Sequence, residues 1–521
     1  MATSSSATQP NGTAAAAAAN GASATSPSVP AGLPVVFRDS TPRAEFLESA
    51  WGHVFNHRRA TEARVPRAVV HATSAAHVAQ AVGVARDLGC RVSVRSGGHS
   101  WAAWSVRDDA VCVDLGALPG GKHASSTAEE GEGEGEGAGL EYDPRTRILS
   151  CPPSATGRVA NGFLATKGRM FAGGHCPDVG LGGFLLQGGM GWNCKNWGWA
   201  CESIVGIEAV TADAREVYCS RSENADLFWA ARGSGPGFPA IVTRFHLLTR
   251  PLPDMYQSIY IWPISEYRKV LKWVIDMCEI GDNDTEMVAV GQYIDGHPDP
   301  VIIANFLAFK SNKAEGEAAL KPLHDDPGRP PNALVVDFAK PTTLPDQYAP
   351  QALANPEGHR YCSENAYVSN DADVPAVLER AFTTLPHRKA FALYYSMYPT
   401  SRRPHYAGAG GDSGEGAGSM ALSMHTDHYF ALYTVWEDEK DDERCVGWTR
   451  EVAREVERHA DGSYLGDSDF QHRRTKFWRD ENAKRLMEIR RKWDPEGRIC
   501  GYLDEGDKSG VDGLKNEFEW K

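Results

Sequence analysis

Positive charge is in short supply in this chain: 54 lysines and arginines stand against 68 aspartates and glutamates, a net charge of −14. Such a surface repels phosphate backbones and anionic bilayers, so nucleic acid and membranes are not expected partners. No run approaches the roughly 18 apolar residues that a spanning helix requires. The first residues also lack the basic start and apolar stretch of a secretory signal, and the alanines from Ala14 to Ala19 are too few to replace them. A cytoplasmic protein is the expectation. The 11 cysteines form no dense framework, which implies free thiols in a reducing compartment. Also missing are a G-x-G-x-x-G after the first strand and a P-loop lysine, so a non-covalent nicotinamide site is not indicated. No third ligand accompanies His53 and His57, or His425 and His428, at metal-binding spacing, and no metal is expected.

At 521 residues, with 42% hydrophobic and 23% charged residues, the composition is globular and the length suits two or three domains of roughly 150 residues. Residues 1–32 carry almost no large apolar side chain and read as a disordered tail, while 128–139 and 407–418 read as low-complexity insertions in loops. A helix is expected over 43–58, a strand over 68–71, and a helix over 74–88. In that second helix Ser74 caps, Val78, Ala81, Val82, Ala85 and Leu88 share a face, and Gly89 stops it. Strands follow over 91–94 and 111–115, giving a βαβ-type unit. From residue 254 onward alternating β-branched and aromatic runs (255–262, 287–293, 301–309, 334–338, 391–398, 420–436) are separated by helical patterns over 265–278 and 374–382. This texture is α+β, built on a mostly antiparallel sheet. A last helix is expected over 481–493.

Two glycine-rich segments carry the chemistry. Arg95-Ser96-Gly97-Gly98-His99-Ser100 is a turn whose bare backbone N–H groups can approach an anion such as a pyrophosphate. Gly174-His175-Cys176-Pro177-Asp178-Val179-Gly180-Leu181-Gly182-Gly183 sets a thiol in backbone that can lie against a planar ring. To these are added QGGMG at 187–191, ADLFWAARGSGPGF at 225–238, and NAKRL with WDP within 482–495.

In these residues the chain resembles the berberine bridge enzyme-like flavoproteins of the vanillyl-alcohol oxidase superfamily, over about 66–251 and again from 464 to about 503. The resemblance implies a PCMH-type FAD-binding domain of two α/β subdomains over 33–250, a substrate-binding domain with a large antiparallel sheet flanked by helices over 251–459, and a segment over 460–521 that returns to the flavin domain. It also implies FAD bonded to His99 at the 8α-methyl and to Cys176 at the neighbouring ring carbon. An imidazole and a thiolate are the side-chain nucleophiles suited to an electron-poor ring. By the same resemblance Arg95, Ser96, Gly97, Gly98, Ser100, Val179, Gly180, Gly182, Gly183 and Asn482 bind cofactor. The small side chain of Val179, three residues after the cysteine, implies access of O2 to the flavin. The pattern departs at Ala214, where the family has a turn glycine, at Trp197, Trp199 and Glu202, and at Gly237-Phe238-Pro239.

The family's Y-x-N-Y stretch reads Tyr464-Leu465-Gly466-Asp467, with aspartate at the commonly catalytic position. Asp467 is the expected base and Tyr464 a donor or relay; the plainer alternative has Tyr464 packing at the flavin edge and Asp467 forming a turn. Alternation along 420–436 sets His425 and Asp427 on one face and His428 on the other; one of the two histidines is expected to face the flavin, and His425 is a candidate catalytic residue. Trp101, Trp104, Trp192, Trp197 and Trp199 either stack on a substrate or close the pocket. The expected activity is an FAD-dependent oxidase of secondary metabolism. It removes a hydride from a small alcohol, amine, sugar or other secondary metabolite and passes electrons to O2 to give H2O2. The alternatives are a dehydrogenase with another acceptor and a flavin-retaining protein without turnover.

Overall fold

The computed structural model describes residues 29–60, 64–108, 110–124, 139–403, 419–469 and 473–501. Most of the expected N-terminal tail and nearly all of the two low-complexity stretches lie outside the described residues. Three sheets organise the chain. The first has the spatial order Val35–Phe37, Ala68–His71, Ala110–Asp114, Arg91–Arg95, the last three strands being parallel. The crossover helix Ala75–Asp87 forms as its periodicity requires: Ser74 Oγ accepts the His77 N–H (3.2 Å), Val78, Ala81, Val82 and Ala85 are buried, and Gly89 leaves the helix at φ +64°. The second sheet is antiparallel, ordered Glu141–Asp143, Ile148–Cys151, Ala240–Leu248, Ile204–Thr211, Glu216–Cys219. Its Val210 and Ile241 join the core of the first sheet, and so does Ile499 from the far end of the chain.

The third sheet has eight antiparallel strands in the order Val335–Thr342, Asp254–Pro263, Val301–Lys310, Thr285–Gln292, Phe391–Ser396, His428–Trp436, Arg360–Val368, Ala460–Gly462. Alternation divides its residues between two cores. Tyr394 and Phe430 pack beneath the helices Tyr267–Met277 and Asp442–Glu457, whereas Tyr395 and Tyr429 face the core shared with the glycine segments. Each such aromatic contributes about 1.5–3 kcal/mol by burial, so the sheet is held from both sides. No helix among the described residues is long and apolar enough to cross a membrane.

Three expectations are corrected. The first helix ends at Trp51, where the Gly52 N–H bonds to Glu48, so His53 and His57 do not share a helix face. The 374–382 pattern splits at Leu378 into Val374–Val377 and Glu379–Thr383. The run over 420–436 is strand only from His428, because the Asp427 carboxylate is taken by Ser401 and Arg402 and its N–H by Asn370, which bends the segment before it. The strand Arg360–Val368 is hidden in the sequence by its polar centre Ser363-Glu364-Asn365, yet it is buried throughout that centre.

Candidate active site

A cavity of about 370 Å3, within the range of small-molecule sites, lies between the two glycine segments and the inner face of the eight-stranded sheet. The strand Arg91–Arg95 delivers the 95–100 turn to it. Arg95 itself is spent on structure: its guanidinium donates to Ala50 O (2.7 Å), Ser49 O (2.8 Å) and Asp114 Oδ2 (2.8 Å). That pair, with His53 and His71 against the same carboxylate, holds Asp114 far below the usual carboxylate range despite its burial.

Beyond Arg95 the two glycine segments meet backbone to backbone. A Cβ on Gly97 would stand 2.6 Å from the Gly180 nitrogen, and one on Gly98, at φ +73°, 1.8 Å from the His53 carbonyl oxygen. Gly182 is closed in by Ser96 and Pro153, whereas a Cβ on Gly183 would meet nothing within 4 Å, so that residue borders open space. Bare main chain flanked by an imidazole and a thiol is a cradle that a flavin nucleotide fits and that a Cβ would fill. His99 stacks on Phe55 (4.3 Å, 21°), and burial together with Lys122 lowers its pKa to about 3, leaving a neutral imidazole with a free lone pair. Of the eleven free cysteines Cys176 alone is not buried. Its thiol feels the same Lys122 and Asp178 as His99, and desolvation raises its pKa to about 11, so forming the nucleophilic thiolate there costs free energy.

On the sheet side, Asp467 lines the cavity and accepts from Tyr429 OH (2.6 Å), with Tyr433 and the Trp101 indole at the same carboxylate. Burial still raises its pKa above the ordinary carboxylate value. The segment is fixed by the hidden strand: Asn365 donates to Tyr464 O and accepts its N–H (both 2.7 Å), and Ser363 Oγ bonds Asp467 O (2.9 Å). The Tyr464 hydroxyl accepts the N–H groups of Gly189 (3.2 Å) and Met190 (3.3 Å), tying it to the second glycine segment; burial pushes its pKa well above the usual phenol value.

Every residue expected from the glycine segments lines the cavity, as do Tyr464 and Asp467. His425 and Asn482 do not. His425 lies in the irregular stretch before His428, against Trp199 (5.4 Å) and Tyr367 (5.8 Å), so alternation did not aim it inward. Asn482 donates to the Met420 and Ala421 carbonyls and so secures that stretch. Trp101, Trp104 and Trp192 line the cavity; Trp197 is bonded to Asp284 and Trp199 is in the core. Sequence reasoning missed Tyr429, Tyr433, Tyr395 and Glu286. Two of these share the strand His428–Trp436 at a spacing of four, a same-face signal that was available.

An FAD binding domain family model matches residues 66–134 and 136–220. The FAD-linked oxidoreductase ptmO of Penicillium ochrochloron is 36% identical over 478 residues, 91% of this chain and 98% of that protein. Among solved structures, Physcomitrella patens BBE-like 1 superposes with a TM-score of 0.70 at 18% identity over 90% of this chain and 96% of that one. Glucooligosaccharide oxidase of Acremonium strictum, studied for its 6-S-cysteinyl, 8α-N1-histidyl FAD, superposes with a TM-score of 0.68 at 19% identity over 90% and 96%.

Proposed function

The chain belongs to the FAD-linked oxidoreductases, and from that premise we propose that it is an oxidase whose FAD is anchored at both His99 and Cys176 and whose reducing equivalents pass to O2. FAD, when bound, supplies the hydride acceptor. The observation that carries this reading is the convergence of an uncharged imidazole, the one thiol that is not buried, and a carboxylate of raised basicity on a single cavity. Residues 33–250 with 460–501 make the cofactor side and 251–459 the substrate side.

Asp467 takes the proton from the substrate's O–H or N–H while a hydride leaves the adjacent carbon, so the substrate loses two hydrogens and O2 gains them as H2O2. Tyr429, Tyr433 and Trp101 donate to the carboxylate and offset part of the rise in pKa that burial imposes on it. Tyr464, held by two backbone N–H groups, fixes the distance between the base and the second glycine segment. Val179 leaves room for O2. Acid-precipitated holoprotein should keep its yellow colour in the pellet, and Cys176→Ala should reduce the attachment to one bond, read by peptide mass. Release of all pigment by acid sinks the covalent reading. A peroxide-coupled screen of alcohols, amines and sugars tests the acceptor, and turnover without peroxide in air rejects O2.

A further inference from the structure

A second polar group, unassigned by the reaction above, occupies another part of the same cavity. Glu286, buried on the strand Thr285–Gln292, receives three donors. Its Oε2 accepts the Asn193 N–H (2.7 Å) and Tyr395 OH (3.0 Å), and its Oε1 lies 3.0 Å from His175 Nε2. No lysine or arginine of the described residues pairs with it; His175 is its basic partner. The His175 ring, packed on Trp192 at 4.3 Å, thereby has its Nε2–H committed to the carboxylate, and its Nδ1 makes no hydrogen bond within the described protein. Glu286, His175 and Tyr395 all line the cavity.

We propose that His175, oriented by Glu286, is a substrate-binding residue whose Nδ1 accepts a hydrogen bond from a hydroxyl or amine of the substrate, and that this wall selects neutral or amine-bearing molecules over anions. The selection follows from the charges present. Among lysines and arginines only Arg95 lines the cavity; it is buried, its charge is matched by Asp114 and its Nη groups also serve two carbonyls, whereas Glu286 and Asp467 are both carboxylates. An incoming carboxylate or phosphate meets two carboxylates and, among the described lining residues, no lysine or arginine other than the Asp114-paired Arg95. A donor meets a lone pair fixed in place, flanked by Trp192 and Tyr395 for an apolar body. This rests on the flavin reading, since the site is read through the cofactor.

The test uses holoenzyme under anaerobic, neutral conditions. 2-Phenylethanol, 2-phenylethylamine and phenylacetate, similar in shape and different in charge, are titrated while the flavin absorption band is followed. The alcohol and the amine should bind and phenylacetate should bind at least about tenfold more weakly. His175→Gln keeps a donor toward Glu286 and loses the Nδ1 acceptor; it should weaken the amine about tenfold with flavin content unchanged, while His175→Asn, which keeps an acceptor near Nδ1, should recover part of that loss. Glu286→Gln gives a reading that packing alone does not. Its carbonyl must serve Asn193 and Tyr395, so its amide N–H faces Nε2 and drives the ring proton to Nδ1; preference should then move from the amine toward phenylacetate. Equal binding of all three probes, no binding of any, or a His175→Gln enzyme that matches the wild type overturns the inference. Protein that holds no flavin overturns the premise instead.

Discussion

Across the cavity, the 95–100 and 174–183 segments present main chain and two nucleophiles, whereas the eight-stranded sheet presents carboxylates and phenols. The first wall works by having no side chains where backbone must touch backbone. It tolerates almost no added volume, since Gly97 and Gly180 are already closer than any Cβ allows. The second wall works by matched donors and acceptors, Tyr429 with Asp467 and Tyr395 with Glu286, and its geometry depends on pairing between strands far apart in sequence. Altering the first wall should therefore remove the cofactor and the fold together. Altering the second should change chemistry while the protein stays yellow.

The sharpest break is Gly97→Val. The new side chain collides with backbone at Gly180 that cannot rotate away, a loss of roughly 3 kcal/mol, and the expected result is a large fall in melting temperature with little bound flavin. Retention of full flavin content defeats the account of this wall. Next, Asp467→Asn should lower flavin reduction by about 10²–10⁴-fold, the usual worth of a general base, with flavin content intact. It should not lower the melting temperature at neutral pH. The folded-state pKa of Asp467 is raised, so ionising it costs stability once pH exceeds the unfolded value, and the amide removes that cost.

With Asp467 as the proposed base, the wild-type rate should fall as pH drops through that raised pKa. Tyr429→Phe is a finer probe: losing one donor raises the carboxylate pKa further, and the acid limb of the rate profile should move to higher pH. An unmoved limb means that Tyr429 does not tune Asp467. The smallest effect lies outside both walls. Ala214 occupies the turn where the family has glycine, yet its φ is +65°, so Ala214→Gly should stabilise by about 1 kcal/mol in chemical denaturation without touching turnover.

The same contrast governs what could be read beforehand. The glycine wall is written in short contiguous segments, and residues 95–100 and 174–183 could be assigned to a cofactor site because such contiguous motifs are what carry the resemblance to the flavoprotein family. The βαβ unit was equally legible, its helix marked at both ends by Ser74 and Gly89. The sheet wall was only half legible. Asp467 and Tyr464 stood out as a departure from a motif, but Glu286 sits in an otherwise apolar strand and gains meaning only when Asn193, His175 and Tyr395 converge on it. His425 misled because alternation was assumed to continue past the bend that Ser401, Arg402 and Asn370 impose at Asp427. The strand Arg360–Val368, which clamps Tyr464, was concealed by side chains whose polarity is satisfied across 99 residues of sequence.

One pairing joins parts of the chain that are made far apart in time. The Val92 N–H bonds Arg498 O and the Cys500 N–H bonds Val92 O, at 2.7 and 2.8 Å, and both Ile499 and Cys500 line the cavity. The strand that carries the histidine turn is synthesised early, but its open edge stays unpaired until the ribosome has translated about 400 further residues. Ile499 and Cys500 therefore join the wall of the chamber only after a span of about 400 residues has been added to the strand they pair with.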